Sequence, residues 1–137
     1  MTEGLIDTNV FIHSLTNDPQ SADCRAFVVS VAHGETHVRL EFPVLHELSY
    51  ALPRRIKQMD RTDVVRYLTM VINWPGVHGD KATMLATVDR WSRTRGLAFV
   101  DAYLSVLALD RSCPVYTKNA REIRAQGVTV PDPLLAQ

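Results

Sequence analysis

Residues 4–9, Gly-Leu-Ile-Asp-Thr-Asn, decide the fold that this chain is predicted to adopt. The apolar run from Gly4 to Ile6 ends abruptly at Asp7-Thr8-Asn9, residue types that favour turns and helix starts over strand interiors. The pattern predicts a first β-strand with Asp7 at its carboxyl end. Asp7 is therefore a candidate functional acid, although the same side chain could instead cap a helix beginning near Val10.

Several segments with helical spacing of apolar residues follow this strand. Between Asp18-Pro19 and Gly34, apolar side chains recur at i, i+3, i+4 and i+7, which predicts a helix with one face in the core. Asp18 and Pro19 suit the start of this helix, and Gly34 suits its end. Further helices are predicted to begin at Phe42-Pro43, at Asp60 or Arg61, at Asp80, near Asp101, and shortly after Asn119.

Short apolar or β-branched segments separate the helices and predict further strands at residues 37–40, 114–117 and 128–130. Strands that alternate with helices form parallel sheets, because parallel neighbours need crossover connections. We therefore predict an α/β fold with a parallel sheet of four to five short strands flanked by helices. In such sheets the functional crevice lies beyond the carboxyl ends of the strands, where Asp7 and residues 117–119 would both lie.

Composition indicates one ordinary globular domain spanning residues 1–137. Hydrophobic residues make up 46% of the chain and charged residues 22%, a composition too hydrophobic for a disordered protein. Lys plus Arg equals Asp plus Glu at 15 each, so any nucleic-acid binding must come from local clusters of charge. Only two cysteines are present, which we expect to be buried free thiols. With no leader sequence and no membrane-spanning run, a cytoplasmic protein is expected.

Three acids, Asp7, Glu47 and Asp101, stand in apolar sequence, where a carboxylate is more often functional than it is in a charged stretch. Clustered carboxylates repel one another unless a divalent cation neutralises them. Carboxylate oxygens suit Mg²⁺ or Mn²⁺, and either ion could activate a water against a phosphodiester. These acids, with Asn119 nearby, therefore form a candidate metal site.

Each candidate also has a structural explanation. Glu47 is predicted at the rim of its helix's apolar stripe and could be a partly exposed surface residue. Asp101 could be a first-turn acid favoured by the helix dipole. Thr117 and Asn119 could be ordinary turn formers. Taken one at a time, these positions leave both explanations open.

Four segments together resemble the four motif regions of PIN-domain nucleases, in order along the chain. They are Leu-Ile-Asp-Thr-Asn-Val-Phe-Ile at residues 5–12, Val-Leu-His-Glu-Leu at 44–48, Phe-Val-Asp-Ala-Tyr-Leu at 99–104 and Val-Tyr-Thr-Lys-Asn at 115–119. The overall length is similar to that of VapC, the toxin component of VapBC toxin–antitoxin systems. The resemblance covers nearly the whole chain.

The resemblance implies an Mg²⁺-dependent ribonuclease in which Asp7, Glu47 and Asp101 bind the metal. It assigns Thr117 as the hydroxyl residue that follows the fourth strand. It also implies a cognate antitoxin that obstructs the metal site, and a homodimer. Catalysis would proceed by attack of a metal-activated water on an RNA phosphodiester.

The chain departs from the family pattern at Asn119. The family often has a further Asp after the Thr of the fourth motif, whereas the amide of Asn119 carries no charge. Glu122 lies nearby and could supply the missing carboxylate. We therefore expect one Mg²⁺ to bind readily and a second one weakly.

RNA would need positive charge near these acids. Two basic clusters flank the candidate site in sequence. They are predicted to contact phosphates, or instead to form a solvated surface or an edge that pairs with the acids of a partner. They are Arg54, Arg55, Lys57 and Arg61 after the Glu47 helix, and Lys118 and Arg121 after the fourth strand.

Other functional classes fit less well. A phosphatase of the haloacid dehalogenase type needs a second acid two residues after the first, where this chain has Asn9. A nucleotide-binding domain needs a glycine-rich loop after the first strand, and residues 7–11 contain no glycine. The remaining alternative is a PIN-like binding module of weak or no catalytic activity, which Asn119 favours.

Overall fold

The structure is a computed structural model that describes residues 3–134. The chain divides into two compact units, Met1–Met84 and Leu85–Gln137. The first unit contains three short strands, β1 (Gly4–Leu5), β2 (Val38–Arg39) and β3 (Val77–His78). They form a parallel sheet in the order β1-β2-β3, with β2 in the centre. The predicted α/β class with a parallel sheet and flanking helices is therefore confirmed.

Four helices of the first unit connect and flank these strands: α1 (Thr8–Ser14), α2 (Ser21–Ala32), α3 (Phe42–Arg55) and α4 (Arg61–Asn73). The helix α1 packs against both α2 and α3, and α4 packs against α3 and β3. A fifth helix, α5 (Lys81–Arg93), begins at the end of this unit.

Local chemistry explains where several helices begin and end. At the start of α4, Asp60 Oδ1 accepts a hydrogen bond from the Asp63 backbone N–H at 2.9 Å. In return, Asp63 Oδ2 accepts from the Asp60 N–H at 3.1 Å, which completes a reciprocal cap. After α2, Gly34 has a φ of 77°, a conformation that glycine adopts without strain.

The strand β3 is absent from the sequence-based prediction, which places no strand between the helix that begins near Asp60 and the helix that begins at Asp80. The Val38 N–H donates to the Gly76 carbonyl and the Leu40 N–H to the His78 carbonyl, both at 2.8 Å. Gly76 is required at this point, since a Cβ there would overlap the carbonyl oxygens of Val31 and Thr36. Close backbone packing therefore defines β3.

The second unit contains the remainder of α5, α6 (Phe99–Arg111) and α7 (Ala120–Arg124). Its core is formed by Ala108, Val115, Ile123, Val128 and Val130, with Leu104 and Ala120 packed against them. The helix α7 packs against α6.

The predicted strands at residues 114–117 and 128–130 are wrong, so the described part of the chain has three strands and not four to five. The two segments lie side by side, and the Val115 N–H donates to the Thr129 carbonyl at 3.0 Å. A single backbone hydrogen bond does not make a ladder. Val115, Val128 and Val130 are buried in the core of this unit. The apolar pattern of the two segments therefore indicated burial and not strand pairing.

Three smaller expectations also need correction. Phe27 is 41% exposed, so the buried face of α2 is narrower than its apolar pattern suggests. Cys24 is half-buried and Cys113 is exposed, and neither is the buried thiol expected. The helix α2 begins at Ser21 and not at Pro19.

Among residues 3–134, no helix is long and apolar enough to cross a membrane.

Candidate active site

Asp7 occupies the residue before α1 in the first unit. Its backbone is extended, with φ −96° and ψ 156°, which is the usual N-cap conformation. The side chain nevertheless accepts no capping hydrogen bond and is exposed. Helix capping therefore does not explain the carboxylate of Asp7.

Glu47 lies on α3, also in the first unit, and is exposed. The buried residues of this helix are Leu45, Leu48, Ser49 and Leu52, so its inner face is centred further from Glu47 than predicted. Ser49 can be buried because its hydroxyl donates to the His46 carbonyl at 2.6 Å. The prediction that Glu47 lies at the rim of the buried face is therefore wrong.

Asp101 and Asn119 are in contact in the second unit. Asp101 is half-buried in the first turn of α6, as predicted, and its Oδ2 accepts a hydrogen bond from Asn119 Nδ2 at 3.1 Å. Asn119 precedes α7 but does not cap it with its side chain. The amide of Asn119 is thus used to hold the carboxylate of Asp101.

Thr117 supports the same cluster through the backbone. Its Oγ1 accepts a hydrogen bond from the Asn119 N–H at 2.9 Å, an arrangement typical of a side-chain turn. Thr117, which is half-buried, therefore orients the residue that contacts Asp101. A cleft of about 180 Å³ lies beside Thr117 and is lined in part by Lys118 and Asp132.

The candidate residues thus form two groups, one in each unit. Asp7 and Glu47 belong to elements that pack together, since α1 contacts α3. Asp101, Thr117 and Asn119 are joined by hydrogen bonds. Within residues 3–134, no group of three or more His, Cys, Asp or Glu side chains forms a metal site.

Sequence reasoning missed Thr8, which follows Asp7 directly. Its Oγ1 is buried and has no hydrogen-bond partner among the described residues. A buried hydroxyl without a partner is costly and uncommon in folded proteins. No periodicity distinguishes such a residue, so only the structure reveals it.

Comparison with known families decides the affiliation of the chain. The family described as PIN domain matches residues 4–127, a range that includes all five candidate site residues. This chain belongs to the PIN domain family. A search among curated proteins finds no match.

PIN domains are generally nucleases that use divalent metal ions, and the family is associated with RNA binding. The donor chemistry of this PIN domain fits such an ion. The carboxylates of Asp7 and Glu47 are exposed and have no hydrogen bond or ion pair with any residue of the described chain. Oxygen ligands of this kind suit hard divalent cations.

Proposed function

We propose that this protein is an Mg²⁺-dependent ribonuclease that hydrolyses RNA phosphodiester bonds. The observation that carries the proposal is the carboxylate of Asp7, which stands at a helix N-cap without capping, in a chain of a nuclease family. Asp7, Glu47 and Asp101 are the proposed metal ligands, and Mn²⁺ is the alternative ion. The two units together are proposed to form one ribonuclease domain over residues 1–137.

A bound divalent ion would supply activation of water and stabilisation of charge on the phosphodiester. The chain's own residues would provide the ligands and their orientation. The hydrogen bond from Asn119 engages Asp101 Oδ2, so Oδ1 would be the oxygen of Asp101 that is available to an ion. Thr117 restrains the backbone of Asn119 and so acts as a positioning residue for Asp101. Glu47 would complete the ligand set or would orient the attacking water.

A second candidate function is a PIN-like module that binds RNA or protein without efficient turnover. Asn119 favours it, because this residue replaces a carboxylate with an amide that donates to Asp101. Half-buried Glu122, on the short helix after Asn119, is the nearest acid in sequence that could compensate. Retention of Asp7, Glu47 and Asp101 favours the enzyme.

The finer proposal is that the protein acts as the toxin of a type II toxin–antitoxin system. It is supported by the four motifs, which resemble those of PIN-domain nucleases, the class to which VapC toxins belong. A cognate antitoxin would obstruct the acidic site, and the active form would be a cytoplasmic homodimer.

One experiment with three arms tests these proposals. Purified protein is incubated with total RNA in Mg²⁺, in excess EDTA, and in Mg²⁺ with the small protein encoded by a neighbouring reading frame. Cleavage in the first arm only is the expected result. Binding of RNA without cleavage in Mg²⁺ or Mn²⁺ would support the non-catalytic module, and cleavage that persists with the added protein would contradict the antitoxin proposal.

A further inference from the structure

The helix α3 carries a continuous row of planar side chains next to Glu47. Phe42, His46, Tyr50 and Arg54 are each four residues apart, so they follow one another along one side of the helix. The rings of Phe42 and His46 are stacked, with centroids 6.0 Å apart and 11° between their planes. His46 meets Tyr50 edge to face at 5.4 Å, and the Arg54 guanidinium lies 5.7 Å from the centre of the Tyr50 ring. We call these four residues the α3 row.

The end of the α3 row is exposed and positively charged. Tyr50 is 43% exposed, so part of its side chain is accessible to a ligand. Arg54, Arg55 and Lys57 are exposed, and none has an ion-pair partner among the described residues. The surface therefore combines an accessible aromatic ring with uncompensated positive charge.

Helix geometry relates this surface to Glu47. Tyr50 lies three residues after Glu47, about 60° around the axis and about 4.5 Å along it. Arg54 lies seven residues after Glu47, nearly in line with it and about 10.5 Å along the axis. An RNA strand that follows the α3 row would thus pass beside Glu47.

We propose that Tyr50 stacks on a nucleobase of single-stranded RNA and that Arg54 contacts an adjacent phosphate. Proteins that bind single strands without reading base edges combine aromatic stacking with a basic track, and Tyr50 with its neighbouring cations has both features. A duplex is excluded as the ligand of Tyr50, because its bases are stacked on one another and unavailable. This inference rests on the proposed ribonuclease function and adds to it a base-contacting residue, Tyr50, outside the candidate metal ligands.

The alternative occupant is a protein surface, including a second copy of this chain. The observations favour RNA, because three cations without ion-pair partners at the end of the row complement phosphates. A protein partner would contact the aromatic rings and would need no phosphate group. The experiment must therefore distinguish binding of a protein from binding of RNA.

The test measures binding by the full chain carrying Asp7→Asn, which prevents cleavage during the measurement. Fluorescence anisotropy compares a short single-stranded RNA with an RNA of equal length that has abasic riboses. Tyr50→Ala should weaken binding of the base-containing RNA by between about fivefold and about a hundredfold, the range expected for one stacked base. Tyr50→Phe should retain binding within about twofold because it keeps the ring. Neither variant should change the weak binding of the abasic RNA.

Phe27→Ala is the matched control, because Phe27 is 41% exposed on α2 and belongs to the same unit. It should leave both affinities unchanged. The proposal is overturned if Tyr50→Ala affects the two RNAs equally, if it changes self-association in sedimentation and not RNA affinity, or if the Asp7→Asn protein binds no RNA. If the wild type cleaves RNA and any of these results is also obtained, the ribonuclease proposal remains supported and only the proposed role of Tyr50 is rejected.

Discussion

Asn119 is the residue at which the chain departs from the motif of its family, and the structure gives this departure a specific contact. The Asn119 amide donates to the carboxylate of Asp101, so it replaces repulsion between two carboxylates with a hydrogen bond. A charged hydrogen bond of this kind stabilises the fold in the absence of any ion. The sequence predicted that Asn119 lies near the acids, but the direction of this hydrogen bond could come only from the structure.

Asn119→Asp should therefore make stability depend more strongly on Mg²⁺. Without metal, two facing carboxylates should lower the free energy of unfolding by about 1 kcal/mol. With Mg²⁺ the variant should gain more stability than the wild type, because an ion neutralises the pair. The melting temperature is measured with and without Mg²⁺, and calorimetry gives the stoichiometry of Mg²⁺ binding.

Asn119→Ala, which removes the hydrogen bond without adding charge, is the control. Identical Mg²⁺ responses of the wild type and Asn119→Asp would remove this interpretation.

At the scale of elements, the connection between α1 and α2 depends on one carboxylate. Asp18 accepts hydrogen bonds from Thr16 Oγ1 at 2.6 Å, from His13 Nδ1 at 2.8 Å and from the Gln20 N–H at 2.8 Å. These bonds favour the charged form, and the Thr16 hydroxyl contributes most to holding the pKa of Asp18 well below its ordinary value of 3.8. The residue was predicted to cap α2, and it instead organises the turn that precedes that helix.

Asp18→Asn should accordingly destabilise the protein in a pH-dependent way. A carboxyl group whose pKa is lowered by folding contributes stability above its unfolded pKa, and this contribution is lost as the pH falls through the folded value. The wild type should therefore be more stable than the variant at pH 7, and the difference should shrink below about pH 4. Urea unfolding at a series of pH values measures it. A difference that stays constant down to pH 2 would contradict the role given to Asp18.

Helices were predicted more accurately than strands, for a physical reason. The start of a helix such as α4 is indicated by its capping residue, Asp60, and its buried side is indicated by a repeat of apolar residues. Both signals lie within a short stretch of sequence. The strands of this protein have two residues each, and their pairing depends on distant partners such as Val38 and Gly76. Burial of Val115 and Val128 produced a strand-like pattern where no ladder forms.

For the whole molecule, the strongest finding is membership of the PIN domain family. The family match includes segments of the chain that are far apart in sequence, which no local sequence pattern could relate to one another. The PIN domain match runs through both compact units, from residue 4 to residue 127. The four motifs predicted this affiliation, because each combines an acid or hydroxyl with apolar neighbours in a definite order. The exposure of Glu47 and of Tyr50 was not predictable, since it depends on which face of α3 the fold buries.

Asp7 is proposed to bind the ion with which this protein cleaves RNA. The most direct test compares the wild type with Asp7→Asn in cleavage of one labelled single-stranded RNA, each protein stripped with EDTA and then titrated with Mg²⁺. The wild type should regain cleavage with Mg²⁺, and Asp7→Asn should lose at least about a hundredfold in rate, since a neutral amide holds the cation poorly. Its circular dichroism and melting temperature should remain close to those of the wild type, because Asp7 makes no capping hydrogen bond. Undiminished Mg²⁺-dependent cleavage by folded Asp7→Asn protein would contradict the account.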